Sequence, residues 1–282
     1  MRTLARTRII VATTAAALAI SSCALHTQSL REPAQEDIRR VMPRESSQAV
    51  QASRYQATIP SYQHYSFNLT NGRGTLNVLV FDPTQFDLRV DITRGGTTAP
   101  TVAKKYPNAI AVTNGPYYDG LMPHLYLKSG GQAIVYDVAS FDRFHEENIE
   151  AIFVIKGASA SVIPRTESPE SCDFALQGGP WLIRNGVDDT QRLPGGRQMR
   201  GSLKRTLLGI TDKGQIILAA IAEGDGVSLP EAVQEMQARF KLRELMNLDG
   251  GPSTQMVIIS SGVELPVLRL DVPAFLVVLP KQ

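Results

Sequence analysis

Residues 206–222 read TLLGITDKGQIILAAIA, and this stretch is the clearest indication of the fold. Two apolar runs, 206–210 and 215–222, flank the polar tetrapeptide Thr211-Asp212-Lys213-Gly214. Asp and Gly favour turns, because Asp bonds nearby backbone N–H groups and Gly tolerates positive φ. The stretch therefore predicts a β-hairpin made of two buried strands.

Other parts of the chain show the same short-strand pattern. Residues 86–92 alternate apolar and polar side chains strictly, as a half-buried strand does. Further apolar runs predict strands at 76–81, 109–113, 133–138, 151–155, 256–259 and 275–279.

One segment is typical of a helix. Ser228 and Glu231 have the spacing of a capping box, Pro230 lies in the first turn, and apolar residues then recur on one face up to Phe240. Many short strands with one helix predict an α+β fold, in which a single domain is built on a large mixed, mainly antiparallel β-sheet core with few helices.

The N-terminus has the pattern of an export signal. Three arginines precede the apolar run 9–20, which is too short to span a bilayer, and Ile20-Ser21-Ser22-Cys23 resembles a bacterial lipobox. We therefore expect a lipoprotein-type signal peptide at 1–22, lipidation of Cys23, a polar tether at 23–60 and a folded domain at 61–282. The alternative is an ordinary signal peptide in which Cys23 has no role.

Composition excludes several classes of protein. The chain has 282 residues, of which 43% are hydrophobic, with 29 basic and 27 acidic side chains. Removal of residues 1–22 takes away three arginines and leaves 26 basic residues, so the mature chain is near neutral. It is too apolar to be disordered and too weakly basic for binding nucleic acid by bulk charge. If Cys23 carries lipid, Cys172 has no partner, and we expect a buried or inert thiol there.

Three glycine-containing segments each follow an apolar strand: 114–119 (NGPYYD), 177–180 (QGGP) and 247–254 (NLDGGPST). Glycines let the backbone approach a ligand closely, and their N–H groups can form an anion-binding concavity. Taken alone, a segment of this kind, such as Gly-Gly-Pro, is usually an ordinary turn.

In chain order, these segments resemble the phosphodiester glycosidase family. The chain matches the family in five places. These are the Asn-Gly-x-aromatic-aromatic-Asp segment at 114–119, the stretch 122–127, the Gly-Gly-Pro segment at 178–186, the Arg-Thr pair before the strand at 205–210, and the helix leading into Asn-Leu-Asp-Gly-Gly at 228–254. The resemblance runs from about residue 76 to 279, and Asn-Leu-Asp-Gly-Gly is its most specific part.

The resemblance implies hydrolysis of sugar-1-phosphodiester bonds, which needs a cation for the phosphate and a carboxylate at the sugar carbon. Arg205 is the candidate for the phosphate, with a surface ion pair as the alternative. Asp249 is the candidate base or nucleophile, although Asp also caps turns. Asp119 is the second carboxylate, and Asn114 orients substrate or holds its own turn. Glu223 and Asp225 are weaker carboxylate candidates. The implied substrate-binding residues are Gly178, Gly179, Gly250, Gly251, Ser253 and Thr254.

The remaining expectations concern partners and location. A glycan or sugar phosphodiester is the expected substrate, the membrane is contacted through the N-terminal lipid, and no nucleic acid is bound. No cofactor is required, and a structural Ca²⁺ ion is an open alternative without an EF-hand or zinc signature. The expected location is the bacterial cell envelope, at the outer rather than the inner membrane. The rival function is a non-catalytic glycan-binding or exopolysaccharide-assembly lipoprotein on the same fold.

Overall fold

The structure is a computed structural model that describes residues 61–120, 122–123, 125–135, 148–265 and 271–282. The predicted signal peptide, the lipidation site at Cys23 and the tether lie outside the described residues, as do residues 136–138 of one predicted strand.

The described residues form nineteen strands and three α-helices. In chain order they are β1 Gln63–Asn68, β2 Thr75–Phe81, β3 Phe86–Thr97, α1 Ala99–Lys105, β4 Ala111–Asn114, β5 Tyr118–Asp119, β6 Met122–Pro123, β7 Leu127–Ser129, β8 Gln132–Val135, β9 Ala151–Lys156, β10 Ser159–Pro164, β11 Phe174–Gly178, β12 Trp181–Arg184, β13 Val187–Asp188, α2 Arg197–Arg200, β14 Arg205–Thr211, β15 Ile216–Ile221, α3 Leu229–Gln237, β16 Leu242–Asn247, β17 Met256–Ile258, β18 Val263–Glu264 and β19 Val272–Pro280. Short 3₁₀ turns occur at Thr190–Arg192, Gly251–Ser253 and Ile259–Ser261.

The strands form three main sheets and one two-stranded ribbon. The first sheet has the order β1-β2-β15-β14-β16-β12-β13, the second β10-β9-β11-β7-β8 and the third β18-β17-β4-β19-β3, while β5 and β6 form the ribbon. Every strand pairing among the described residues is antiparallel. The predicted α+β class with a mainly antiparallel core is confirmed, and its strands are divided among several sheets.

A central core is shared by all three sheets. Phe81 of the first sheet meets Phe86 of the third edge-to-face, with ring centroids 5.9 Å apart, and Phe153 and Phe174 of the second sheet belong to the same cluster. Burial of one such side chain contributes about 1.5–3 kcal/mol. The sheets therefore hold one another together through their inner faces.

The hairpin predicted at 206–222 is β14 and β15, paired from Arg205 with Ile221 to Ile210 with Ile216. The predicted helix is α3. Ser228 accepts a hydrogen bond from the backbone N–H of Glu231, and the Glu231 carboxylate accepts one from the Ser228 N–H, so the capping box is complete. The apolar face of α3 packs on the outer face of the first sheet.

Strands β1, β10 and β12 were not predicted. Ser159–Pro164 alternates small and polar residues with few large apolar ones, and its pairing with β9 makes it a strand. None of the described helices is long and apolar enough to cross a membrane.

Candidate active site

The candidate residues lie where strands from all three sheets end or begin. β4 of the third sheet ends at Asn114, β11 of the second at Gly178, and β16 of the first at Asn247. β14, which pairs with β16 in the first sheet, begins at Arg205. The sheet junction thus brings together segments that are far apart in sequence.

Asn114 joins three of these segments through its side-chain amide. Its Nδ2 donates to the backbone carbonyl of Asp249 at 2.7 Å, while its Oδ1 accepts from the Thr206 hydroxyl at 2.8 Å and from the Gln255 N–H at 3.1 Å. The side chain is 1% exposed. These contacts place Asn114 as a positioning residue that fixes the backbone carrying Asp249.

Asp249 is partly exposed and has two hydrogen-bond donors. The Gly250 N–H donates to its Oδ1 at 2.9 Å, and the Ser253 side chain also bonds to it. Burial nevertheless outweighs these bonds, which favour the charged form, and raises the pKa of Asp249 to about 6. A carboxyl that titrates near neutral pH in a protein cleft is typical of a catalytic group.

Gly250 and Gly251 allow two chain segments to touch. A Cβ on Gly250 would lie 2.7 Å from the Lys204 carbonyl oxygen and 3.7 Å from the Arg205 Cα, and Gly251 has a φ of +58°. The Gly251 N–H donates to the Lys204 carbonyl at 2.8 Å, and the Gly250 N–H is bound to Asp249. The N–H groups that the sequence suggested for an anion are therefore engaged within the protein.

Gly178 and Gly179 have a similar packing role. A Cβ on Gly178 would lie 2.6 Å from the Met246 Cε, and one on Gly179 would lie 2.1 Å from the Asn148 carbonyl oxygen. The Gly179 N–H donates to the Asn247 carbonyl at 3.0 Å. These glycines bring the end of β11 against the end of β16.

Tyr117 and Asn247 were quoted in the sequence motifs but were given no role. The Tyr117 hydroxyl donates to the Gly179 carbonyl at 2.8 Å and accepts from the Asn247 Nδ2 at 2.6 Å. Burial and then the charge of Asp249 raise the pKa of Tyr117, while the charge of Arg205 lowers it. Tyr117 thus stays protonated and joins Gly179 to Asn247 near both Asp249 and Arg205. In the sequence, the only sign of this role is its place in the aromatic pair of 114–119.

Ser253 and Thr254 follow the Asp-Gly-Gly turn and are both buried. The Ser253 hydroxyl lies 3.2 Å from the Tyr118 hydroxyl as well as bonding to Asp249. Within the described part of the chain, the Thr254 Oγ1 and the Asn247 Oδ1 are buried without a hydrogen-bond partner. Buried polar groups without a partner are uncommon in folded proteins, and a role at a functional site is one explanation for them.

Arg205 is a buried cation. It is 4% exposed, its Nε donates to the Val227 carbonyl at 2.9 Å, and its Nη2 donates to the Gly201 carbonyl at 3.0 Å. Burial lowers its pKa to about 10, so the side chain stays charged at neutral pH. It forms no ion pair with any described carboxylate, and its Nη1 makes no hydrogen bond to a described residue. The charge of Glu231 acts on Arg205 only from beyond ion-pair distance. A buried cation with no carboxylate at ion-pair distance favours the binding of an anion.

The other carboxylate candidates lie apart from this network. Asp119 is exposed in the β5–β6 ribbon, where it pairs with Met122. Glu223 and Asp225 lie on the turn after β15, where the backbone of 223–224 packs on that of 73–74. No contact recorded among the described residues joins any of these three side chains to Asp249.

The structural Ca²⁺ ion considered from the sequence has no cluster of acidic ligands in the described part of the chain. Among the described residues, no group of three or more His, Cys, Asp or Glu side chains is arranged to hold a metal.

Motif, fold and site geometry agree with one class of protein. The family model of the phosphodiester glycosidases matches residues 94–278, and the chain belongs to this family. No curated protein matches the chain significantly in sequence.

Solved structures share the fold at low sequence identity. The catalytic domain of zebrafish N-acetylglucosamine-1-phosphodiester alpha-N-acetylglucosaminidase, auto-inhibited by its pro-peptide, matches with a TM-score of 0.55 and 15% identity, over 78% of this chain and 83% of that one. A hypothetical protein from Synechocystis matches with a TM-score of 0.54 and 15% identity, over 78% of this chain and 62% of that one. The predicted family resemblance is confirmed.

Asn114→Ala should destabilise the protein. The change leaves the Thr206 hydroxyl and the Gln255 N–H buried without their acceptor, which should lower the free energy of unfolding by about 2–4 kcal/mol. Urea denaturation measures this. Asn108→Ala, at an exposed position before β4, is the control and should change stability by less than about 0.5 kcal/mol. Equal stabilities for the two variants would contradict the positioning role.

Asp249→Asn should make the protein more stable at high pH. An unfolded Asp titrates near pH ~3.9, whereas folded Asp249 titrates at about 6, so the folded state binds more protons between these values and loses stability as the pH rises. The neutral amide of the variant carries no such penalty. Its advantage over the natural chain should therefore grow by about 2 kcal/mol from pH 4 to pH 8.

Urea denaturation at both pH values checks this expectation. Asp212→Asn, on the exposed turn between β14 and β15, is the matched control and should show no such change. A pH-independent difference between the Asp249→Asn variant and the natural chain would show that Asp249 titrates normally.

Proposed function

We propose that the chain is an exported glycosidase that hydrolyses sugar-1-phosphodiester bonds in envelope or extracellular glycans. The observation that carries this proposal is that a partly exposed carboxyl whose pKa is about 6 and a buried guanidinium with no carboxylate at ion-pair distance lie on adjoining strand ends. Membership of the phosphodiester glycosidase family supports the bond type.

Arg205 is proposed to bind the phosphate. A phosphodiester carries one negative charge, and a second charge develops on the leaving oxygen as the bond to the sugar carbon breaks. The two backbone carbonyls bound by Nε and Nη2 hold the guanidinium in place, and Nη1 is proposed to donate to a phosphate oxygen. Because Arg205 is already ordered, little conformational entropy is lost on binding.

Asp249 is proposed to act at the anomeric carbon, as base or as nucleophile. As a base, it takes a proton from water, the water oxygen bonds to the anomeric carbon, and the electron pair of the broken bond leaves on the phosphate oxygen. As a nucleophile, its oxygen bonds to that carbon while the phosphate leaves with the electron pair, and water then hydrolyses the glycosyl ester to free sugar and the carboxyl group. Both routes need the ionised form of Asp249.

The leaving group explains why a second acid is dispensable. A phosphate monoester has a second pKa near ~6 and leaves without protonation at neutral pH. Asp119 is therefore proposed only as an auxiliary acid, which agrees with its exposed position in the β5–β6 ribbon. Ser253 and the partly exposed backbone at 250–251 are proposed to contact the sugar, and the buried Thr254 and residues 178–179 are proposed to support them from behind.

Turnover should require ionised Asp249. The test is proton NMR of the anomeric signals during incubation with a panel of sugar-1-phosphodiesters that includes UDP-N-acetylglucosamine. Free sugar should appear with the natural chain, and kcat/KM should fall about tenfold per pH unit below an apparent pKa of about 6. Asp249→Asn should lower kcat by about 10³-fold or more.

Asp212→Asn is the control for this assay and should retain full activity, since it lies on the hairpin turn. Normal activity in folded Asp249→Asn protein would remove Asp249 from the mechanism. Binding of a glycan by the natural chain without release of sugar would instead favour the non-catalytic glycan-binding lipoprotein.

The chain is further proposed to be anchored in the bacterial envelope through lipid on Cys23. The motif Ile20-Ser21-Ser22-Cys23 after an apolar run supports this, and the tether at 23–60 would hold the catalytic domain away from the bilayer. An outer-membrane position would place the site beside envelope glycans.

Cys23→Ser should abolish lipid attachment. Expression in a bacterial host with an alkyne-labelled fatty acid should label the natural chain and leave Cys23→Ser unlabelled. Cys172→Ser is the matched control and should be labelled normally, because Cys172 is the other cysteine and is buried. An unlabelled natural chain that is recovered without membranes would support an ordinary signal peptide instead.

A further inference from the structure

A cavity opens on the outer face of the second sheet. It has a volume of about 520 Å³, and Tyr126, Lys128, Ile152 and Arg165 are among the residues that line it. Ligand sites commonly have volumes of ~300–1,000 Å³, so the cavity is large enough for a sugar residue. Side chains alternate between the faces of a strand, and Leu127 belongs to the central core, so Tyr126 and Lys128 share the outer face.

Lys128 is the unusual residue of this cavity. It is 7% exposed, and its ammonium makes one hydrogen bond, to the Glu170 carbonyl at 2.5 Å. It forms no ion pair with a carboxylate in the described ranges. An ammonium has three donors, and burying it with only one neutral partner is costly. The position is therefore suited to an anionic group that enters the cavity.

Arg165 adds a second cation to the same cavity. It is partly exposed, and its side chain makes no hydrogen bond or ion pair with any residue that the structure describes. Glu167 and Glu170 also line the cavity, but both are exposed. Water and salt screen exposed charges much more than buried ones, so the two carboxylates offset the buried charge of Lys128 only in part.

Hydrogen bonds between paired strands connect one wall of the cavity to the strand end that carries Gly178 and Gly179. The Gln177 N–H donates to the Tyr126 carbonyl at 2.9 Å, and the Tyr126 N–H donates to the Gln177 Oε1 at 3.1 Å. Gly178 and Gly179 come directly after Gln177, and the Gly179 carbonyl accepts from Tyr117. From Tyr126 to Lys128 the strand advances only about 7 Å, which is close to the length of one sugar residue.

We propose that this cavity is an outer subsite that binds a second anionic group of the glycan, a phosphate or a carboxylate, beyond the bond that is cleaved. The proposal rests on the proposed function, since it extends the substrate of the same site. Lys128 contacts the anion directly, Arg165 contacts it from the rim, and the Tyr126 ring packs on the intervening sugar. The substrate class is therefore a polyanionic glycan.

The test is calorimetric binding of three synthetic trisaccharides to the full-length chain. Each carries an N-acetylglucosamine-1-phosphonate link, in which a CH₂ group replaces the oxygen that bonds the sugar, so that turnover cannot occur. Beyond this link, the first carries a second phosphodiester, the second a uronate, and the third a neutral sugar. At least one anionic trisaccharide should bind about tenfold more tightly than the neutral one, as a charge-assisted contact implies.

Lys128→Met should abolish this preference, since Met has a similar length and no charge. Arg165→Gln, at a less buried position, should reduce the preference for anionic trisaccharides. This variant keeps the test valid if Lys128→Met does not fold. Lys156→Met is the matched control, because Lys156 is an exposed lysine of β9 in the same sheet, and it should keep the preference. The trisaccharide that binds more tightly identifies phosphate or carboxylate as the anion.

Equal binding of the anionic and neutral trisaccharides would overturn the proposal, and so would a preference that survives in folded Lys128→Met and Arg165→Gln proteins. Hydrolysis of the oxygen-linked parent compounds tests the proposed function separately. Tighter binding of an anionic trisaccharide without hydrolysis would support the subsite and contradict the proposed activity. Hydrolysis with equal binding of all three trisaccharides would support the activity and contradict the subsite.

Discussion

The side chain of Asn114 is the interaction on which the site depends. Its one amide group binds the backbone at Asp249, the hydroxyl of Thr206 and the N–H of Gln255, and so connects the third sheet to the first. A carboxylate has no donor and an aliphatic side chain has neither donor nor acceptor, so Asp or Leu at this position would lose at least one of the three contacts. Together with the bond between Gly179 and Asn247, these contacts fix the ends of the sheets relative to one another at the point where the chemistry is proposed.

This junction explains how the protein tolerates one buried charged group and one partly buried charged group. Burial raises the pKa of Asp249 and lowers that of Arg205, so both charges reduce the stability of the free protein. The central core and the glycine-mediated contacts of 178–179 and 250–251 offset this cost. A site of this kind gains from a substrate whose phosphate neutralises Arg205, because binding then relieves an unfavourable interaction that already exists in the folded chain.

Local patterns in the sequence were sufficient for the hairpin at 206–222 and for the capped helix after Ser228, because turn chemistry and capping depend on neighbouring residues. They did not indicate β10 or the division into three sheets, which depend on pairing between distant strands. Asn114, Arg205 and Asp249, which the sequence motifs singled out, lie at one junction between the sheets in the structure. The bonds made by Tyr117 and Asn247 could not be foreseen, nor could the use of the glycine N–H groups within the protein, since each depends on contacts between segments distant in sequence.

The two buried cations differ in a way that suits two tasks. Two carbonyls hold the planar guanidinium of Arg205, so its remaining N–H groups point in fixed directions and would favour one position for the proposed phosphate. Lys128 has a compact charge, a flexible stem and a single hydrogen-bond partner, so it accepts an anion over a range of positions. Strict geometry is needed where a bond breaks, and tolerance is useful where a polymer is only held. A glycosidase that combines both can position one phosphodiester accurately while accepting variation in the next residue of the glycan.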